Sequence, residues 1–236
     1  MTETLVIFTR YPEAGKTKTR MISALGADGA AKLQQEMTEH TLNTAKKLKF
    51  CRDLAIEVHF VGGNKQSMTA WLGQEIKYIP QVSGDLGYRM HSAFKHTFSL
   101  DNQRVVIIGT DCPDLNQVIL QDAFDSLHKQ DLVLGRAQDG GYYLIGLNHP
   151  IPQLFENINW GTEQVLTQTQ AIARQLNLKV KYLPYLSDVD RPEDLAIWQK
   201  YSKSVMPTAA TNYAKRPYRL LNLTKKLSQQ ILNMLC

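Results

Sequence analysis

Val105-Val106-Ile107-Ile108-Gly109-Thr110-Asp111-Cys112-Pro113-Asp114 is the stretch that decides the fold of this chain. Its first four residues are apolar, consecutive and β-branched, the pattern of a strand covered on both faces. Gly109 opens a turn, and Pro113 lacks the N–H that a return to the sheet needs. Asp111 is therefore left at the carboxyl end of a central strand. In open α/β sheets that edge is where ligands bind. A carboxylate there suits a divalent cation, and a cation there suits phosphates.

Outward from this stretch, strand-like and helix-like segments alternate. Leu5–Thr9, Leu54–Val61, Ile76–Ile79, Leu132–Gly135 and Tyr142–Leu147 read as strands. Ala30–Leu48 has apolar residues three and four apart and reads as a helix. Ser67–Leu72, Leu86–Phe98 and Gln117–Leu127 also read as helices, as does Thr162–Leu176 with Thr162 as its N-cap, and one more begins in Pro192–Trp198. This alternation predicts an α/β fold with a mostly parallel central sheet and helices on both faces.

The chain has 236 residues, 43% of them hydrophobic and 21% charged, enough for a sizeable core. One domain is expected over residues 1–203, followed by a basic linker and helix over residues 204–236. In that tail Leu220, Leu223, Leu227, Ile231 and Met234 share one helical stripe, with Lys225 and Lys226 off it. Such an amphipathic helix packs on its own domain, on a second copy in a homo-oligomer, or peripherally on another surface. The tail's cations, Lys215, Arg216, Arg219, Lys225 and Lys226, account for the whole net charge of +5. The remaining body is neutral, which argues against nucleic acid as a partner. The N-terminus lacks the basic segment and apolar core of a signal peptide, and no apolar run reaches the length of a membrane span. The three cysteines, Cys51, Cys112 and Cys236, are widely spaced with no Cys-x-x-Cys, which argues against a disulfide framework or zinc site and for the cytoplasm.

Five further segments carry chemistry. Thr9–Met21 places Arg10, Lys16, Lys18 and Arg20 around Gly15 directly after the first strand, a composition suited to a di- or triphosphate. Gly15-Lys16-Thr17 is not a P-loop, because that motif needs glycine where Arg10 stands. Gly84-Asp85-Leu86-Gly87-Tyr88-Arg89 opens a helix, with Asp85 as cap and with Gly84, Asp85 and Arg89 as further nucleotide contacts. Asp139-Gly140-Gly141 joins two strands; it is either a plain hairpin turn or a close-approach site where Asp139 binds sugar hydroxyls or acts as a base. Trp160 and Thr162 precede a helix, Trp160 as an acceptor-pocket wall or a core residue. Asp188 and Asp190 lie at alternate positions and face one way in an extended chain, so they can complete a metal site with Asp111 or serve as helix caps. Asp114 is better placed to cap the helix near Asn116 than to act in chemistry.

Taken in order, these strings resemble the bacterial family of glycosyltransferases of arsenosugar-biosynthesis type, a family formerly of unknown function. That family is related to 2-phospho-lactate guanylyltransferase and, more remotely, to sugar-nucleotide nucleotidyltransferases. The resemblance runs from about Leu5 to Leu195. It is carried by Pro12-x-x-Gly15-Lys16-x-Lys18-Thr19-Arg20, Gly84-Asp85-Leu86-Gly87-x-Arg89-Met90, Gly109-Thr110-Asp111-Cys112-Pro113-x-Leu115, Asp139-Gly140-Gly141-Tyr142-Tyr143-Leu144 and Asp188-Val189-Asp190-x-Pro192-Glu193-Asp194-Leu195. It implies a Rossmann-like GT-A nucleotide-diphosphosugar transferase fold. It also implies Mg²⁺ or Mn²⁺ on Asp111 and Asp190, with Asp188 as a further contact, and a nucleotide or nucleotide-sugar under the Arg10–Arg20 loop. Asp139 and its glycines would face a small-molecule acceptor or the sugar, with Asp139, Lys18 and Arg20 catalytic. Arg136 stands where the family often has proline, which puts a cation near the expected acceptor site. The implied activity is metal-dependent glycosyl transfer. The alternatives are transfer of a nucleotide to a phosphorylated small molecule with pyrophosphate release, and a non-catalytic nucleotide sensor.

Overall fold

The computed structural model of this chain describes residues 2–100 and 102–202. The expected linker and tail helix lie outside them. Seven strands form one sheet: β1 (Thr2–Arg10), β2 (Ala55–Val61), β3 (Lys77–Pro80), β4 (Asn102–Ile108), β5 (Leu132–Ala137), β6 (Tyr142–Leu147) and β7 (Val180–Leu186). Their order is β3-β2-β1-β4-β6-β5-β7. The sheet is parallel except for β6, which runs against both β4 and β5. The helices are α1 (Ile22–Cys51), α2 (Lys65–Leu72), α3 (Leu86–Phe98), α4 (Gln117–Ser126), α5 (Val165–Gln175) and α6 (Leu195–Trp198).

β4 is buried on both faces, as its sequence implies. Val106 and Ile108 join Leu5 and Ile7 of β1 in a core with α1, α2 and α4. Val105 and Ile107 point the other way, with Val6, into a core with α3 and α5. A third cluster packs Met21, Leu33 and Met37 against Val189 and Trp198, which fastens the stretch after β7 to the start of α1.

From β1 the chain steps outward to β2 and β3, then returns beside β1 as β4. The order reverses between β1 and β4, and at such a switch point the loops leaving the strands part and open a crevice. Arg10 ends β1, and Gly109-Thr110-Asp111 follow β4, so both stretches singled out by sequence wall this crevice.

Some elements differ from the sequence reading. β7 was not foreseen, because Pro184 interrupts it and much of it is exposed; it is an edge strand, where proline is tolerated. α1 starts eight residues before Ala30, with Gly26 breaking its first turn at φ 71 and ψ 170. α5 starts at Val165, and its N-cap Gln164 makes no side-chain cap bond. Thr162 instead closes the preceding turn, its hydroxyl donating to the Asn159 carbonyl at 2.8 Å.

At the amino end of the sheet, buried Glu3 accepts hydrogen bonds from Arg52 (2.9 Å from Nη2) and Arg104 (2.7 Å). Burial pushes its carboxyl up, but the two guanidinium groups outweigh that and hold it below the usual carboxylate range. The folded value lies below the unfolded one, so this cluster contributes stability above about pH 4.3 that is lost as pH falls through the folded value. Glu3→Gln is expected to cost about 3 kcal/mol at neutral pH, the order seen when one partner of a buried pair is removed. In urea melts, the gap to wild type shrinks as the pH is lowered below the free carboxylate value.

Candidate active site

The loop after β1 is shaped by short turns. The Lys16 N–H donates to the Glu13 carbonyl at 3.1 Å, and the Met21 N–H to that of Lys18 at 2.8 Å. Between them Lys18 adopts a left-handed conformation, φ 46 and ψ 43, uncommon for a residue with a side chain. Its ammonium is buried. Nζ lies 2.9 Å from Asp111 Oδ1 and 3.9 Å from Asp190 Oδ1, and donates to the Val189 carbonyl at 2.5 Å. The Val189 N–H donates to the Asp111 carbonyl at 2.8 Å. One lysine thus joins the segments after β1, β4 and β7. Arg20 completes the junction by hydrogen-bonding Asp190 Oδ2.

Gln34 of α1 supports this junction from below. Its Nε2, with two hydrogens to donate, lies within hydrogen-bonding distance of the hydroxyls of Thr38 (3.1 Å), Thr9 (3.3 Å) and Thr110 (3.3 Å), and its Oε1 accepts from Thr17 (3.3 Å). All five residues are buried. Sequence reasoning missed Gln34, although Ala30, Gln34, Thr38, Thr41 and Ala45 trace a second inward stripe of α1 that signals it.

Two cavities open on the junction. The first, of about 490 Å³, is lined by Thr9, Arg10, Lys16, Lys18, Arg20 and Arg89, together with Phe8 and Gln81. Arg89 donates to Gln81 Oε1 at 3.1 Å. Burial and the nearby charge of Arg10 both lower the basicity of Arg89. Two guanidinium groups held against each other favour an anion between them. Gln81 was also missed by sequence reasoning; it lies just past β3, where the sequence carries no motif.

The second cavity, of about 690 Å³, is lined by Asp111, Asp139, Gly141, Trp160, Thr162 and Asp188, among others. Arg20, Leu86, Gly109, Asp111 and Asp190 line both cavities, which are two halves of one cleft. Burial, Asp139, Asp194 and Asp111 together push the Asp188 carboxyl up. The Asp139 carboxylate accepts the Gly141 N–H at 2.9 Å, as in a plain turn, and Asp139 also lines this cavity. A Cβ on Gly140 would fall 2.3 Å from the Glu163 carbonyl oxygen, which explains a glycine there at φ 88. A Cβ on Gly87 would fall 2.3 Å from the Trp160 indole nitrogen, so the first turn of α3 seats the indole that walls the acidic half.

Other expected residues stand elsewhere. Gly15, Gly84, Asp85 and Gly140 do not line either half. Asp85 is the N-cap of α3, accepting the Tyr88 N–H at 2.8 Å. Arg136 does not approach the acceptor side: its guanidinium lies 4.1 Å from the Tyr185 ring and 5.5 Å from that of Tyr182, at the β7 edge. Asp114 does not cap α4; Asn116 does, and Asp114 accepts the Tyr201 hydroxyl. Asp190 caps nothing; Asp194 accepts the N–H groups of Asp190 (3.1 Å) and Arg191 (2.8 Å). Cys112 is buried, and burial with the charges of Asp111, Asp188 and Asp139 drives its thiol far up, as in an inert thiol.

No preformed group of three or more His, Cys, Asp or Glu side chains arranged for a metal occurs among the described residues. Mg²⁺ and Mn²⁺ do not require one; Mg²⁺ commonly takes one or two carboxylates and completes its shell with water and substrate phosphates. Asp111 and Asp190 converge on one cationic point, now held by Lys18, and the carboxylates around Asp188 leave a net negative field. An all-oxygen donor set in that field fits a hard divalent cation.

Residues 41–162, just over half of the chain, match the model of a family described as uncharacterized protein conserved in bacteria (DUF2064). The chain belongs to this family. It is also 33% identical to a candidate nucleotide-diphospho-sugar transferase of Desulfovibrio desulfuricans G20. The match covers 86% of this chain and 90% of that one, at a TM-score of 0.79. More distant structures share the fold. One is 4-diphosphocytidyl-2C-methyl-D-erythritol synthase of Anaerococcus prevotii, 12% identical, covering 85% of this chain and 95% of that one at a TM-score of 0.57. Another is a cytidylyltransferase of Leptospira borgpetersenii, 17% identical, covering 86% and 89% at 0.52. No curated protein sequence matches this one. No described helix is long and apolar enough to cross a membrane.

Two substitutions test this architecture. Gln34→Leu leaves several threonine hydroxyls without their partner and is expected to lower stability by about 1–3 kcal/mol in denaturant melts. Gly87→Ala is expected to displace Trp160, changing the tryptophan fluorescence of the protein; the change disappears in a Trp160→Phe background.

Proposed function

We propose that this protein is a divalent-cation-dependent glycosyltransferase using a nucleotide-activated sugar. The observation that carries this reading is the cleft at the β1/β4 switch point, basic at one end and acidic at the other, with Asp111 and Asp190 at the seam. The sugar-nucleotide part draws on the similar Desulfovibrio protein. The arsenosugar type of glycosyltransferase implied by the motifs belongs to this proposal, as does a cytoplasmic setting.

Arg10, Lys16 and Arg89 bind the diphosphate in the basic half, and Arg20 orients Asp190. Asp111 and Asp190, with Asp188 near, would hold Mg²⁺ or Mn²⁺, which would supply neutralisation of the charge growing on the leaving phosphate. Lys18 and Arg20 add fixed positive charge at the same end. In an inverting reaction, Asp139 Oδ2 takes the acceptor hydroxyl proton while Oδ1 stays on the Gly141 N–H. The acceptor oxygen bonds to the anomeric carbon as the bond from that carbon to the diphosphate oxygen breaks, and the electron pair leaves with the nucleoside diphosphate.

The second reading is nucleotidyl transfer. The five cations of the basic half favour it, since Arg10, Lys16, Lys18, Arg20 and Arg89 suit a triphosphate as well.

A thermal-shift panel of nucleotides and nucleotide-sugars, with and without Mn²⁺, tests the proposal through linkage. A nucleotide-sugar is expected to raise Tm more with Mn²⁺ than without, and Asp111→Asn to abolish the Mn²⁺ increment. Turnover of the selected donor should release nucleoside diphosphate and fall at least about 100-fold in Asp111→Asn. Release of pyrophosphate from a triphosphate would favour the second reading, and the absence of any nucleotide response would contradict both.

A further inference from the structure

The two halves of the cleft differ in charge, and the difference bears on the acceptor. Six acidic residues line the second half: Asp111, Asp139, Glu163, Asp188, Asp190 and Asp194. Only Arg20 and Arg191 oppose them there. Asp111 is neutralised by Lys18 and Asp190 by Arg20. Asp194 is spent on two backbone N–H groups. Asp139, Glu163 and Asp188 make no ion pair among the described residues. Trp160 meets Tyr142 edge-on, ring centres 6.4 Å apart, and both line this half together with the side-chain-free Gly141. The cavity offers aromatic rings, a stretch of backbone without a side chain, and more acidic than basic residues.

We infer that the acceptor is a neutral or cationic polyhydroxy compound, such as a sugar, polyol or amino sugar, and carries neither phosphate nor carboxylate. This inference rests on the transferase reading above. Hydroxyl and ammonium groups donate to the carboxylates, while the apolar face of a sugar ring covers the indole. A phosphorylated acceptor would set new negative charge against Asp139 and Glu163, and like-charge juxtaposition rejects a ligand as strongly as contacts recruit one. The same partition separates the two readings: joining a nucleotide to a phosphorylated acid needs cations in the acceptor half, and the cations of this cleft line mainly the other end.

The test uses three probes on one framework: glucosamine, glucose and glucose 6-phosphate. Each is titrated by NMR into the full chain at low ionic strength, where screening is weak. A nucleoside diphosphate and diamagnetic Mg²⁺ are present at saturation, so that the basic half is filled. Glucosamine and glucose are expected to bind at least about tenfold more tightly than glucose 6-phosphate. Glu163→Gln is expected to narrow that gap about threefold and leave nucleotide affinity unchanged. Tighter binding of glucose 6-phosphate, equal binding of the three, or no binding of glucosamine would each overturn the inference while leaving the nucleotide reading intact. If no nucleotide binds at all, the transferase reading fails and this inference fails with it.

Discussion

A buried lysine ammonium holds the cleft together. Lys18 Nζ is almost wholly removed from water, and a buried cation persists only where paired charges and hydrogen bonds replace its hydration. Asp111, Asp190 and the Val189 carbonyl provide that replacement. Each belongs to a chain segment distant in sequence, so satisfying one charge fixes three loops. The left-handed backbone at Lys18 is the local cost, offset by the contacts it permits. The Gln34 network and the Val189–Trp198 cluster hold the same loops by neutral means, through hydroxyls below and apolar packing behind.

From this junction the charge pattern follows. Arg10 and Arg89 stand on one side and Asp139 and Asp188 on the other, with the seam carboxylates between. On the cationic side, Arg89 has its basicity lowered by burial and by Arg10. Across the seam, the Asp188 carboxyl is pushed up by burial and neighbouring acids. Both shifts mark charge that the protein alone does not balance. In the proposed reaction a diphosphate would answer the first and its divalent ion the second.

Much of the fold was legible in the sequence, because its central strands are uniform. Val105–Ile108 is buried on both faces, so its apolar run carries no ambiguity of side. β7 was not legible, since an exposed edge strand with Pro184 lacks any such run. At the site, Asp111, Arg10, Lys16 and Asp188 stand out as charge at strand ends. Gln34, Gln81 and the Val189 peptide did not, because neutral hydrogen-bonding groups look the same in sequence whether buried or exposed. Arg136 misled for a related reason: its position in the chain lies beside the Asp-Gly-Gly turn, but the alternation of β5 and two tyrosines on β7 turn it to the sheet edge.

The most direct test of the central claim is anomalous diffraction from crystals soaked with a nucleotide-sugar and Mn²⁺. A manganese peak is expected beside Asp111 and Asp190, with the diphosphate against Arg10, Lys16 and Arg89. A nucleotide bound elsewhere, or manganese bound away from Asp111, would contradict it.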